Sequence, residues 1–129
     1  MISAKKMVMV IDDEADTAEM FAEMMLMSGY RVIKSSGGAQ AIKMIAQENP
    51  DVLILDVMMP EVSGLEILRF LKNDPYLAKI PVVVVSAKAL PSDIRFGLDA
   101  GASKYLTKPV SFQELKGVID EVLKKDDSQ

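Results

Sequence analysis

Five short apolar runs alternate with five amphipathic stretches along the sequence, one pair every ~20–25 residues. MVMVID (7–12), YRVIKS (30–35), DVLILD (51–56), IPVVVVSA (80–87) and KYLT (104–107) read as strands. YRVIKS alternates, as a half-buried strand does. IPVVVVSA carries four consecutive valines and no alternation, the pattern of a central parallel strand covered on both faces. Between the strands, 16–29 has helical spacing through Thr17, Met20, Phe21 and Met24 and stops at Gly29. A second helix is expected over 39–49, ended by Pro50. Ser63 to Lys72 opens with a capping box, Ser63 to Glu66, and a hydrophobic staple, Val62 to Ile67. Ser92 to Ala100 is a short helix ended by Gly101. Ser111 to Leu123 has a second capping box, Ser111 to Glu114, and a core face of Leu115, Val118, Ile119 and Val122. Alternation of this kind argues an α/β fold, a parallel sheet with helices on both faces.

Length and composition narrow the chemistry. A chain of 129 residues suits a single domain, with 1–5 and 124–129 expected as frayed tails. There is no Cys and no His. Disulfides, thiolate or imidazole metal sites and Ser-His-Asp or Cys-His catalysis are therefore excluded from within the chain. Any bound metal must be a hard cation held by oxygen. The net charge is −4 and the basic residues are scattered, so direct nucleic-acid binding is not expected. The longest apolar run, about six residues near Val82, is far short of the ~18 a membrane span needs. Lys5-Lys6 precede an apolar run too short for a signal peptide. A soluble cytoplasmic protein with no membrane association is expected.

The polar residues at strand ends carry the functional reading. Asp12 and Asp13 follow the first strand, Asp56 ends the third, Ser86 ends the fourth and Lys108 follows the fifth. In an open parallel sheet all carboxyl ends share one edge, where the ligand crevice lies. Five residues from four segments therefore converge. A pair of carboxylates ~4 Å apart costs about 4 kcal/mol at an effective dielectric of ~20, so three of them stay ionised only around a cation. Oxygen-only ligands with open positions suit Mg²⁺. Lys108 adds a mobile positive charge and Ser86 a hydroxyl donor. Such a site suits a phosphoryl group, and a carboxylate within it is a competent nucleophile. Asp56, at the end of an otherwise apolar run, is the expected acceptor.

VIDDE, LILDVMMPEVSG, VVVVSA and KYLTKPV together resemble the receiver domain of two-component response regulators, over essentially the whole chain. The resemblance implies a doubly wound, flavodoxin-like sheet of order 2-1-3-4-5. It implies phosphoryl transfer to Asp56 from the phosphohistidine of a sensor histidine kinase or phosphotransfer domain. It assigns Mg²⁺ to Asp13, Asp56 and the backbone carbonyl of Met58, with Asp12 beside them, partly through water. It puts Lys108 on the phosphoryl oxygens and makes Ser86 report the phosphorylated state. It implies a cis bond before Pro109 and a switch role for Tyr105, which remodels the face of helix 4, strand 5 and helix 5. The family more often has Thr at Ser86, which keeps the hydroxyl. The self-catalysed gain and loss of the phosphoryl group is then the only chemistry expected, and the chain is a switch rather than an enzyme.

Three further expectations concern partners and timing. Met25, Leu26 and Met27 are consecutive and cannot all face inward. Helix 1, with Ala15, Ala18 and Ala22 on its outer side, is expected to dock the phosphodonor's helices. Met58 and Lys88, two residues past Asp56 and Ser86, offer no group to orient an attacking water, so a long-lived phosphoryl group is expected. No output segment follows the last helix, so the chain reads as a stand-alone receiver or one cut from a longer regulator. A monomer, or a dimer linked to phosphorylation, fits equally.

The alternative is a receiver-like docking module that is never phosphorylated. A phosphohydrolase with an Asp nucleophile would need a second acid where Met58 stands. A flavin carrier would need a phosphate loop where DDEAD would repel phosphate.

Overall fold

The computed structural model describes residues 5–57 and 63–127, with side chains to Lys124. Its strands are β1 (Met7–Ile11), β2 (Arg31–Ser35), β3 (Val52–Leu55), β4 (Val82–Ser86) and β5 (Lys104–Thr107). Its helices are α1 (Ala15–Met27), α2 (Gly38–Glu48), α3 (Gly64–Lys72), α4 (Pro91–Asp99) and α5 (Phe112–Asp127). The strands form one parallel sheet in the order β2-β1-β3-β4-β5. The central strands β3 and β4 are buried at every position, as continuous apolar runs require.

Because side chains alternate across a strand, the sheet feeds two cores. Val8, Val10, Val52, Ile54, Val83 and Val85 face Phe21 and Met25 of α1 and Leu115 and Ile119 of α5. Met9, Ile11, Leu53, Leu55, Val82 and Val84 face Ala41 and Ile45 of α2 and Ile67, Leu68 and Leu71 of α3. α4 is held differently: its one buried residue is Gly97.

The helix ends follow local chemistry. After α1 the Gly29 N–H donates to Leu26 and the Tyr30 N–H to Met25, with Gly29 at φ +95°. That pair of bonds is a Schellman turn, which favours glycine at its left-handed position. Ser63 Oγ accepts the Glu66 N–H at 3.3 Å and Ser111 Oγ accepts the Glu114 N–H at 3.0 Å, so the serine half of each expected capping box forms. Val62, the other half of the expected staple, lies outside the described residues, as do 1–4, 128 and 129 of the expected tails.

Two expectations from the sequence need correction. The buried face of α1 is Ala18, Phe21, Ala22 and Met25 rather than Thr17, Met20, Phe21 and Met24. Two alanines bring the helix backbone close to the sheet, and Phe21 and Met25 fill the space beside them. Ala18 and Ala22 are therefore not on the outer side of helix 1. That side presents Ala15, Met20, Leu26 and Met27. Second, α5 does not end at Leu123 but continues to Asp127. Leu123 is buried and anchors the turn, and the lysines beyond it favour helix. A 3₁₀ turn, Leu77–Lys79, to which the sequence reading assigned no element, stands between α3 and β4 and buries Leu77.

Candidate functional site

The strand ladders continue past the strand ends and bring the polar residues together. The Asp12 N–H donates to Ser35 at 3.2 Å, the Asp56 N–H to Ile11 at 3.0 Å and the Lys108 N–H to Ser86 at 2.9 Å. Asp12, Asp56 and Ser86 are thereby buried at the carboxyl edge of the sheet, while Asp13 is exposed at its mouth. One carboxylate oxygen from each of Asp12, Asp13 and Asp56 lies within 4.8 Å of the others. Lys108 Nζ reaches Asp12 Oδ2 at 3.2 Å and Asp56 Oδ2 at 3.3 Å. The Lys108–Pro109 peptide bond is cis.

Two local devices fix the carboxylates. Asp12 Oδ1 accepts the Glu14 N–H at 2.9 Å, at the start of α1. A β-carbon on Gly64 would stand 2.4 Å from the Asp56 carbonyl oxygen and 2.5 Å from Val57 Cα. Only glycine lets the first turn of α3 approach the backbone of Asp56 so closely. The sequence reading passed over Gly64. Its signal was a poor helix former placed directly after a strong N-cap.

Burial and neighbouring charge together set the electrostatics of the site. Burial pushes the Asp12 carboxyl above its ordinary value; the Glu14 amide and Lys108 pull it back, and the Asp56 charge adds to the rise. Burial works against the Lys108 ammonium, but Asp56 and then Asp12 outweigh it and hold its pKa above the ordinary lysine value. One ammonium thus serves two buried carboxylates.

On the far side of the site, Ser86 Oγ accepts the Lys88 N–H at 3.1 Å. The Tyr105 hydroxyl donates to the Lys88 carbonyl at 2.8 Å. Burial raises the Tyr105 phenol above its ordinary value, against its interaction with the Ser86 hydroxyl. The half-buried Tyr105 ring borders a cleft of about 330 Å³ lined by Val57, Leu65, Ser92, Asp93 and Phe96. Of the residues singled out from sequence, Lys108 pairs with Asp12 and Asp56, and Asp13 stands with a carboxylate oxygen within 4.8 Å of theirs. Ser86 and Tyr105 connect through the Lys88 backbone. Met58 lies outside the described residues, both as a metal ligand and as a neighbour of the attacking water.

Fold and site together define a flavodoxin-like sheet with an acidic, oxygen-only pocket at its carboxyl edge. Residues 8–120 match the response regulator receiver domain, and the chain belongs to that family, a component of two-component systems. It is 37% identical over 120 residues to the phosphate regulon transcriptional regulatory protein PhoB of Pseudomonas aeruginosa. That match covers 93% of this chain and 52% of PhoB, so the chain spans about half the length of that relative. It is 35% identical over 106 residues to the polar-differentiation response regulator DivK of Brucella ovis, covering 82% of this chain and 86% of DivK. A crystal structure assigned as a response regulator from Chloroflexus aurantiacus superposes with a TM-score of 0.90 at 29% identity. The superposition covers 94% of this chain and 99% of that one. No helix among the described residues is long and apolar enough to cross a membrane.

Proposed function

We propose that the chain is a phospho-accepting switch in which Asp56 takes a phosphoryl group from a phosphohistidine on a histidine kinase or phosphotransfer domain. One observation carries this reading: carboxylate oxygens of Asp12, Asp13 and Asp56 lie within 4.8 Å of one another at the carboxyl edge of the sheet, where Lys108 pairs with the two buried ones. The donor set fits a hard divalent cation, because it is all oxygen, crowded and open to solvent at Asp13. Asp12, Asp13 and Asp56 would hold Mg²⁺. When bound, the cation supplies charge neutralisation for the carboxylates and for the incoming phosphoryl oxygens.

In the proposed transfer an Asp56 carboxylate oxygen attacks phosphorus, forming a C–O–P linkage. The P–N bond of the donor breaks, and the imidazole leaves with its electron pair. Lys108, already held between Asp12 and Asp56, stabilises the charge on the transferring oxygens. The Ser86 hydroxyl accepts from Lys88 and keeps its own proton to donate to the phosphoryl group. Lys88 links Ser86 to Tyr105, and Tyr105 faces α4, so a change at Ser86 reaches the face formed by α4, β5 and α5. Partners would read that face.

Intact-mass measurement after incubation with acetyl phosphate and Mg²⁺ tests the acceptor. A gain of one phosphoryl group, lost with hydroxylamine and absent in Asp56→Asn, is expected. A gain that survives Asp56→Asn would overturn the assignment.

A further inference from the structure

Gly97 stands in the last turn of α4, where glycine is a poor helix former. It is buried, yet the other residues of α4 are not, so the helix meets the body of the molecule through a position without a side chain. A β-carbon built there would lie 2.8 Å from Tyr105 Cδ2 and 3.0 Å from Cε2. Among the described residues, and apart from Phe96, Leu98 and the adjoining backbone of α4, these are the only heavy atoms within 4 Å of it. The edge of the Tyr105 ring occupies the volume that any larger residue at position 97 would need. The same ring places its hydroxyl 2.8 Å from the Lys88 carbonyl. Tyr105 is thus gripped at two points, by the β4–α4 connection through its hydroxyl and by α4 through its ring edge.

We infer that Gly97 is a positioning residue: it provides the seat that lets Tyr105 reach Lys88, and so couples the end of β4 to α4. The regulatory meaning of this seat rests on the reading of Tyr105 as the transmitting residue proposed above. The seat itself is a matter of packing and stands apart from phosphorylation. A methyl group at position 97 would expel the ring edge, break the Tyr105–Lys88 bond and leave the ring to the 330 Å³ cleft beside it. α4 has no other buried side chain to hold it against the sheet, so it is the element whose placement this contact governs.

The test combines a double-mutant cycle with a spectroscopic reading on the full chain. Alanine favours helix over glycine, so Gly97→Ala in a Tyr105→Ala background should raise the folded-to-unfolded ratio about fivefold. With Tyr105 present that gain should vanish, because the methyl group and the ring compete for one space. In protein labelled with 3-fluorotyrosine, Gly97→Ala should shift the ¹⁹F resonance that Tyr105→Phe removes and leave those of Tyr30 and Tyr76 in place. Equal stabilisation in both backgrounds, or an unmoved Tyr105 resonance, would overturn the inference. Neither reading needs Mg²⁺ or a phosphodonor. Coupling between positions 97 and 105 in a chain that never gains a phosphoryl group would keep the seat and refute the proposed function instead.

Discussion

Asp12 shows what the pocket costs the fold. Its carboxyl is buried beside Asp56, shares one ammonium with it and is pushed above its ordinary pKa. A carboxyl raised in the folded state weakens folding once ionised. The penalty grows as pH rises from the unfolded to the folded pKa and is complete above the folded value. Asp12→Asn keeps an oxygen for the Glu14 N–H and removes the charge. In EDTA at pH 7 the variant should be more stable by about 1 kcal/mol, a rise of ~4 °C in melting temperature for a chain of this size. The stabilisation that Mg²⁺ gives the parent should shrink in the variant. A lower melting temperature than the parent in EDTA would contradict this account.

At the scale of elements, α1 separates what can be tested as a docking face from what cannot. Ala18 and Ala22 are buried against the sheet, so Ala22→Glu places an unpaired charge in the core. It should cost about 3 kcal/mol or more in urea denaturation. Met27 is 77% exposed, and Met27→Glu should change stability by less than ~0.5 kcal/mol. If α1 receives the phosphodonor, Met27→Glu slows transfer from the partner kinase and leaves transfer from acetyl phosphate unchanged. An equal effect of the substitution on transfer from both donors would remove α1 from the docking surface. The alternation of strands and helices was legible because each run has its own period and its own caps, as at Ser63, Ser111 and Gly29. The rotation of α1 was not. Its apolar residues continue through Met24, Met25, Leu26 and Met27, so periodicity alone cannot choose the face, and contact with the sheet decides it. Leu77–Lys79 is too short to leave a periodic signal.

At the scale of the molecule, the site was legible because parallel strands share a carboxyl edge, which turns four distant segments into one place. The strand order came from resemblance rather than from any residue's chemistry. The contacts of Gly64 with Asp56 and of Gly97 with Tyr105 were hidden, since a glycine's neighbours leave no trace in sequence. The turn between α1 and β2 is also tied electrostatically to α5 on the same face of the sheet. Tyr30, just before β2, donates to Asp120 on α5, and Lys116 pairs with the same carboxylate at 2.6 Å. Burial pushes the Asp120 carboxyl up, but the hydrogen bonds from Lys116 and Tyr30 outweigh it and hold it below its ordinary value. Its contribution is present above the unfolded pKa and lost as pH falls through the lower folded value. The stability difference between the parent and Tyr30→Phe, about 0.5–1 kcal/mol near neutrality, should therefore narrow below pH ~4. A difference that stays constant to pH 3 would show that Asp120 is not the partner that matters.

The central claim is that a cation at the three carboxylates makes Asp56 an acceptor. The most direct measurement is the rate of phosphoryl gain from acetyl phosphate as Mg²⁺ is titrated into EDTA-treated protein. The account expects no gain in EDTA, a rate that saturates with Mg²⁺, and a weaker response in Asp13→Asn. An undiminished rate in EDTA would contradict it, and the acidic cluster would then have to be explained without a metal.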